Sequence, residues 1–457
     1  MYLGGAADAE KGYGFDRMRP ENKLPVGLLR NGGTDFAGPA IIDLAYLLGE
    51  NGGHLNVNGI AGMGTKSSFL LHILRLLIAW AKQTGKPGDT GRVRIVPIIF
   101  NVKNFDLFFI DRWNKNWEAG YADDWKPLGV EPEPFRDVKF YAPQERKSDN
   151  PIRTGRDGVV AYSWGLADVI EYGLFRYLFA DDDLGSPNFG GLVSAIEDRL
   201  TSDTSEGPRL RGDAPQTFDE LPDWLNEDRI QRELGSPHPG TRAALVRRLR
   251  GLLLDSDGLL RRDTTRGKPL PIPKEEVPGP LVIDLFGVRD QKMQRFVVAA
   301  VLKRLIDLRS KEPVEGMRYV IALDELNRFA PKGEHDPITL MIERVAAEMR
   351  SQGVILLGAQ QEASRVSPRV IENAAVRAVG RSGTLELSAD VWKFLSPSAR
   401  SQAAQLQETD KLIVLPSFRA PMLAKIPFPP WALRKEESAT PPTPYVPGDD
   451  RFAADTI

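Results

Sequence analysis

Residues 54–70 read His-Leu-Asn-Val-Asn-Gly-Ile-Ala-Gly-Met-Gly-Thr-Lys-Ser-Ser-Phe-Leu, and no other stretch restricts the fold as strongly. A short apolar strand runs into glycines, then Lys66-Ser67, then a helical pattern carrying Leu70, Leu71, Leu74, Leu77, Ile78 and Trp80. In this layout backbone N–H groups cradle phosphates, the lysine reaches the terminal phosphates and the hydroxyl binds Mg²⁺. The candidate phosphate-binding residues are Gly62, Met63, Gly64, Thr65, Lys66, Ser67 and Ser68. Glycine usually stands directly before the lysine, where it lets the backbone approach phosphate without a Cβ. Here Thr65 holds that place. Two alignments fit: Thr65 replaces the glycine, or the loop is one residue longer between Gly64 and Lys66.

The rest of the chain alternates strand and helix around this motif. Residues 93–100 form a β-branched apolar run, and 279–288, 318–323 and 354–359 read as further strands, with a possible short one at 378–380. Helical periodicity marks 67–83, 291–308, 337–352 and 369–375. Such alternation predicts an α/β fold, a mostly parallel sheet with helices on both faces. The 457 residues divide into a polar, flexible arm (1–23), a first core part (24–111), a mostly helical insertion rich in Pro, Asp, Gly and Trp (112–275), a second core part (276–434) and a disordered tail (435–457).

Two further motifs carry chemistry. The strand at 318–323 ends in Asp324-Glu325. In a phosphate-loop enzyme the first acid binds Mg²⁺ and the second polarises the attacking water. The strand at 354–359 ends in Gln360, able to bond a terminal phosphate or that water. In open α/β sheets ligands bind at the carboxyl ends of strands, where all three motifs sit. Arg350 closes the helix before the Gln360 strand, a favourable dipole position or a finger for a neighbouring subunit's phosphate.

These words, in this order, resemble the HerA family of hexameric ATPases within the HerA and FtsK group. The matching residues are Leu24-Pro-Val-Gly-Leu, the loop at 59–68, Leu-Asp-Glu-Leu-Asn-Arg-Phe-Ala-Pro at 323–331, Glu-Arg-Val-Ala-Ala-Glu-Met-Arg-Ser-Gln-Gly at 343–353, Gly-Ala-Gln at 358–360 and Val-Gly-Arg at 379–381. The resemblance covers the core and not the insertion. It implies a RecA-like fold, a homohexameric ring, ATP at subunit interfaces and movement of double-stranded DNA through a pore. On that basis Lys66 and Ser67 hold nucleotide and Mg²⁺, Asp324 is the Walker B acid, Glu325 the catalytic base and Gln360 the sensor. Arg350 is the finger in trans, and Arg381 a second basic position near the interface. The family's N-terminal β-barrel is not recognisable before Leu24.

Composition limits the partners. The net charge of −2 offers no global basic field, so DNA contacts fall to local groups, for which Arg365, Arg369 and Lys103 are the candidates. The absence of cysteine excludes disulfides and thiolate metal sites, and four scattered His argue against zinc. No apolar run is long enough for a membrane span, and the expectation is a cytoplasmic protein. The leading expectation is a DNA-stimulated ATPase, a helicase-like translocase working with a nuclease or another effector in DNA end processing or antiviral defence. The alternatives are a nucleotide-gated scaffold with slow hydrolysis, and a conjugation- or secretion-type ATPase.

Overall fold

The computed structural model describes residues 5–31, 36–60, 65–84, 92–179, 181–205, 207–312, 315–333 and 336–439. Its strands are β1 (Lys23–Arg30), β2 (Phe36–Asp43), β3 (Gly53–Asn58), β4 (Arg94–Asn101), β5 (Lys139–Pro143), β6 (Val160–Tyr162), β7 (Thr201–Thr204), β8 (Gly207–Leu210), β9 (Leu281–Asp284), β10 (Met317–Leu323), β11 (Val354–Gln360), β12 (Ala374–Val379), β13 (Asp410–Val414) and β14 (Met422–Lys425). All but the β7–β8 hairpin join one twelve-stranded sheet in the order β2-β1-β14-β13-β12-β3-β11-β10-β4-β9-β5-β6. From β12 to β6 the pairings are parallel; from β12 through β13, β14 and β1 to β2 they are antiparallel.

Alternation along each central strand sends its side chains to two separate cores. Val96, Ile98 and Phe100 of β4, and Tyr319, Ile321 and Leu323 of β10, face a core shared with the helices Gln291–Lys311 and Pro337–Glu348. Ile95, Ile99, Val320 and Ala322 face the opposite core, built around the helix Thr65–Gln83. Burial on both faces is why these strands read as unbroken apolar runs.

Several boundaries differ from the sequence reading. The stretch 112–275, read as a mostly helical insertion with an edge-like strand at 138–141, supplies two strands to the sheet, β5 at that place and β6 beyond it. Its helices Pro187–Leu200 and Pro239–Asp255 bury Ile196, Leu200, Leu245 and Leu249 in the core of one face, while Trp117, Trp125 and Phe135 enter the other. The aromatic cluster near 113–121 packs internally: Trp117 meets Tyr121 at 5.9 Å and Tyr121 stacks on Phe428 at 4.7 Å. The expected arm over 1–23 contains the helix Ala6–Tyr13, and Phe15 is buried against Phe418, with ring centroids 6.2 Å apart. Apolar burial fixes this segment despite its polar composition. In the expected tail, 435–439 is folded, with Ala439 N–H donating to the Trp113 carbonyl at 2.9 Å, and 440–457 lies outside the described residues.

Candidate functional site

The strand that feeds the phosphate loop and the strand that ends in the two acids are not neighbours. β11 lies between them, and the register sets Gln360 level with Asn58 and Leu323 level with both Gly358 and Phe100. The ends of β3, β11, β10 and β4 therefore form one shelf. Gly62, Met63 and Gly64 lie outside the described residues, so the two alignments around Thr65 stay open; the helix begins at Thr65 and places Lys66 and Ser67 in its first turn.

Ser67 Oγ donates to Asp324 Oδ2 at 2.5 Å, and Asp324 Oδ1 accepts the Glu325 N–H at 2.7 Å. The Lys66 ammonium is buried and has no hydrogen-bond partner among the described residues. Burial pushes its pKa down, Asp324 and Glu325 pull it back up, and Lys103 lowers it further. An orphaned buried ammonium is costly, and a phosphate oxygen would satisfy it. Among the described residues no group of three or more His, Asp or Glu side chains is placed to hold a metal alone. Mg²⁺ takes one or two protein oxygens and fills the rest of its shell with water and phosphate. Ser67 and Asp324, already in contact, would be the pair to hold it.

Glu325 has φ of +54°, a left-handed conformation uncommon for a residue with a Cβ. Such a backbone costs on the order of 1 kcal/mol or more and persists where the surroundings impose it. Its carboxylate accepts from the Lys103 ammonium and, at 3.2 Å, from Gln361 Nε2. Burial alone would raise the Glu325 pKa, but Lys103, Lys66 and Gln361 outweigh it and hold the group below its ordinary value. The Lys103 pKa is raised: burial opposes the charge, while Asp324, Glu325 and Asp106 favour it.

A cleft of about 840 Å³ opens from Lys66, Ser67 and Asp324 past Lys103 and Asp106 to Arg153 and Arg434. On its far wall Asp106 is pushed up to about 6, by burial first and by Glu436 and Glu437 next, against Arg434 and Lys103. At the β9 end of the shelf the buried Asp284 is pushed up to about 7 by burial, against hydrogen bonds from Asn101 and the Gly287 and Phe286 N–H groups.

Of the residues singled out from sequence, Lys66, Ser67, Asp324 and Glu325 converge. Gln360 is fully buried and locked to Asn56 by two amide–amide hydrogen bonds of 3.0 and 2.7 Å, so the glutamine that touches Glu325 is its neighbour Gln361. Strand alternation sends adjacent residues to opposite sides, and the sequence gives no sign of which one faces the acid. Arg381 borders the site through its carbonyl, which accepts Ile60 N–H at 2.8 Å, while its side chain is exposed. Lys103 is not a free DNA-contacting cation in this structure, because Glu325 holds it in the cleft. Arg365 and Arg369 are exposed near the carboxyl end of β11, paired with Glu362 at 2.6 Å and Glu343 at 3.5 Å. Arg350 lies at the opposite end of the strands, before β11 begins. A Cβ on Gly53 would come within 2.9 Å of the Arg350 Cβ, so the glycine lets this turn sit tightly against β3. Arg350 cannot reach the phosphate site of its own subunit.

No family model matches this sequence, and no curated protein matches it. Solved structures do. VirB4 of Thermoanaerobacter pseudethanolicus aligns at a TM-score of 0.53 and 17% identity, over 90% of this chain and 97% of that one. The bacterial conjugative coupling protein TrwB, in an unbound form lacking its N-terminal segment, aligns at 0.57 and 13%, covering 95% of each chain. TrwB in complex with the non-hydrolysable ATP analogue ADPNP aligns at 0.50 and 14%, over 84% of this chain and 88% of that one. At such identities the likeness speaks to architecture, and with the sheet order and the helices on both faces it establishes a RecA-like P-loop NTPase fold.

Proposed function

We propose that this chain is an ATP hydrolase working as an oligomeric, DNA-moving motor, of the kind represented by conjugative coupling proteins and VirB4. One observation carries the reading: the Lys66 ammonium, without a hydrogen-bond partner among the described residues, stands beside a Ser67–Asp324 contact and a second, separately held acid, Glu325. Lys66 binds the β- and γ-phosphates. Ser67 and Asp324 would hold Mg²⁺, which when bound would neutralise charge developing on the phosphates. Glu325 accepts a proton from water as the water oxygen bonds to the γ-phosphorus. The bond from that phosphorus to the β,γ-bridging oxygen breaks, and ADP leaves with its electron pair. Arg350, remote from the site of its own subunit, supplies the charge for a neighbour's site, so assembly and turnover are linked. Arg381 borders the same interface.

The structural likeness to a conjugative coupling protein favours transfer of DNA as the task. The HerA-like words at 323–331 and 343–353 support a second reading, end processing or antiviral defence with a nuclease partner. In either case Arg365 and Arg369 are the groups offered to DNA phosphates, with no sequence preference. No helix among the described residues is long and apolar enough to cross a membrane. The test is ATP turnover and particle mass, each measured with and without duplex DNA and Mg²⁺. A Mg²⁺-dependent turnover that rises with duplex DNA, in a particle of several subunits, is the expected result. A monomer whose turnover ignores DNA would remove the motor reading.

A further inference from the structure

Lys103 belongs to neither the phosphate loop nor the acidic strand, yet its ammonium occupies the carboxylate that must accept a proton. The pair spans two strands: Lys103 follows β4 and Glu325 follows β10. The segment carrying Lys103 is anchored on both sides. Asn101 donates to Asp284 at 2.8 Å and accepts Leu107 N–H at 3.1 Å, and the Phe105 ring packs edge-on against Phe286 at 5.2 Å. Between these anchors Asn104 and Phe105 both have positive φ, 49° and 58°, which turns the Lys103 side chain back over the shelf. The backbone is anchored on both sides; the side chain, paired with Glu325 at its tip, is 45% exposed, against 11% for Glu325. A lysine head on a four-carbon stem can change partners without moving its backbone.

The charges say when it would do so. At the shelf end of the cleft Lys66 and Lys103 face Asp324 and Glu325, with Asp106 beside Lys103 and Arg153 and Arg434 on the far wall. The γ-phosphate of a nucleoside triphosphate adds negative charge between Lys66 and Glu325, and a phosphate dianion competes with a single carboxylate for a nearby ammonium. A nucleoside diphosphate ends one phosphate short of that point. Resting on the ATPase reading above, we propose that Lys103 is a shared cation: it holds Glu325 in the empty or diphosphate-bound site and transfers to the γ-phosphate of a bound triphosphate. Glu325 is then released to take the proton of water, with Gln361 still holding its position. The site thus distinguishes the triphosphate from the diphosphate before chemistry, and an empty subunit keeps its base occupied.

A double-mutant cycle read by equilibrium binding tests this without turnover. The full-length protein, with Mg²⁺, is titrated with ADPNP and separately with ADP, as wild type, Glu325→Gln, Lys103→Met and the double variant. Lys103→Met weakens ADPNP by about fivefold or more and leaves ADP unchanged. Glu325→Gln tightens ADPNP, and the gain is about fivefold larger with Lys103 present than in the Lys103→Met background, the coupling expected of a half-exposed ion pair. Lys103→Arg keeps the charge and restores the coupling, which separates it from a folding defect. Equal gains in both backgrounds, or a Lys103→Met loss shared by ADP, would overturn the transfer while leaving the ATPase reading intact. Wild-type protein that binds neither nucleotide would overturn both.

Discussion

The parallel strands from β12 to β6 and the antiparallel strands β13, β14, β1 and β2 belong to one sheet, yet they divide the work between them. Parallel strands all finish on the same side, so their ends pool short polar groups on one shelf: Asn58, Asn101, Asp284, Asp324 and Gln360 are all buried there. Antiparallel strands finish on alternate sides and build no such shelf. That flank buries Val26, Leu29, Ile42, Leu412, Ile413, Met422 and Ala424, and its buried ionisable groups are Asp410 and Lys411. Direction of pairing, more than composition, decides where chemistry gathers in this molecule.

If the comparison holds, substitutions at the two ends of the parallel strands change rate, and substitutions in the flank change stability. The largest effect is expected at the amino end. Arg350→Ala should lower turnover of the assembled particle by about 10³-fold, the order measured for a charge supplied in trans, with no change in an isolated subunit. Mixing the variant with a Lys66→Ala partner, which has the arginine but an impaired phosphate site, should restore part of the activity in mixed rings. No restoration would show that Arg350 does not act across an interface. Next comes the carboxyl end: Glu325→Gln should lower kcat by about 10²- to 10³-fold, as loss of a general base does, while nucleotide still binds. A variant that turns over normally would move the base elsewhere on the shelf.

Legibility in the sequence follows the same division. β4, β10 and β11 could be read directly because burial on both faces leaves runs such as Tyr-Val-Ile-Ala-Leu and Val-Ile-Leu-Leu. β13 and β14 escaped, since Asp-Lys-Leu-Ile-Val and Met-Leu-Ala-Lys are short and mixed. Their pairing is also distant: Leu28 of β1 lies opposite Lys425 of β14. β6 has three residues and gives no periodicity to detect. Within the site, Lys66, Ser67, Asp324 and Glu325 stand in contiguous words whose order carries their chemistry. Lys103 was visible as a basic residue but not as the partner of Glu325, 222 positions away, because only the neighbouring of β4 and β10 brings them together. Gln361 was hidden behind Gln360 for a smaller reason, one step of strand alternation.

The flank sharpens the comparison with a change in stability rather than rate. Leu412→Ala, at a site only 1% exposed, should cost about 2 to 4 kcal/mol of unfolding free energy in a urea titration. ATP turnover per folded molecule should stay as it was. A fall in turnover at full folding would mean that the flank also shapes the site, and the division would fail.

The smallest net effect is expected at Lys411. Its ammonium is buried in the flank, donating to the carbonyls of Glu408 at 2.9 Å and Asp410 at 3.2 Å, and burial pushes its pKa down to about 8 against the pull of Asp410 and Glu408. The folded pKa lies below the unfolded value of 10.5, so between pH 8 and 10.5 the unfolded chain holds more protons than the folded one. Stability from this group therefore rises with pH across that window, and its cost is fully present below pH 8. Lys411→Met removes the buried charge and also the two hydrogen bonds, so at pH 7 it should gain only about 1 kcal/mol. That advantage over wild type should shrink by about 3 kcal/mol as pH rises to the top of the window, and change sign in its lower half. Urea titrations of both proteins at pH 7, 9 and 10.5 read the difference directly. A difference that stays constant would mean that water reaches the Lys411 ammonium, and the flank would then not be the dry half that the contrast with the parallel shelf requires.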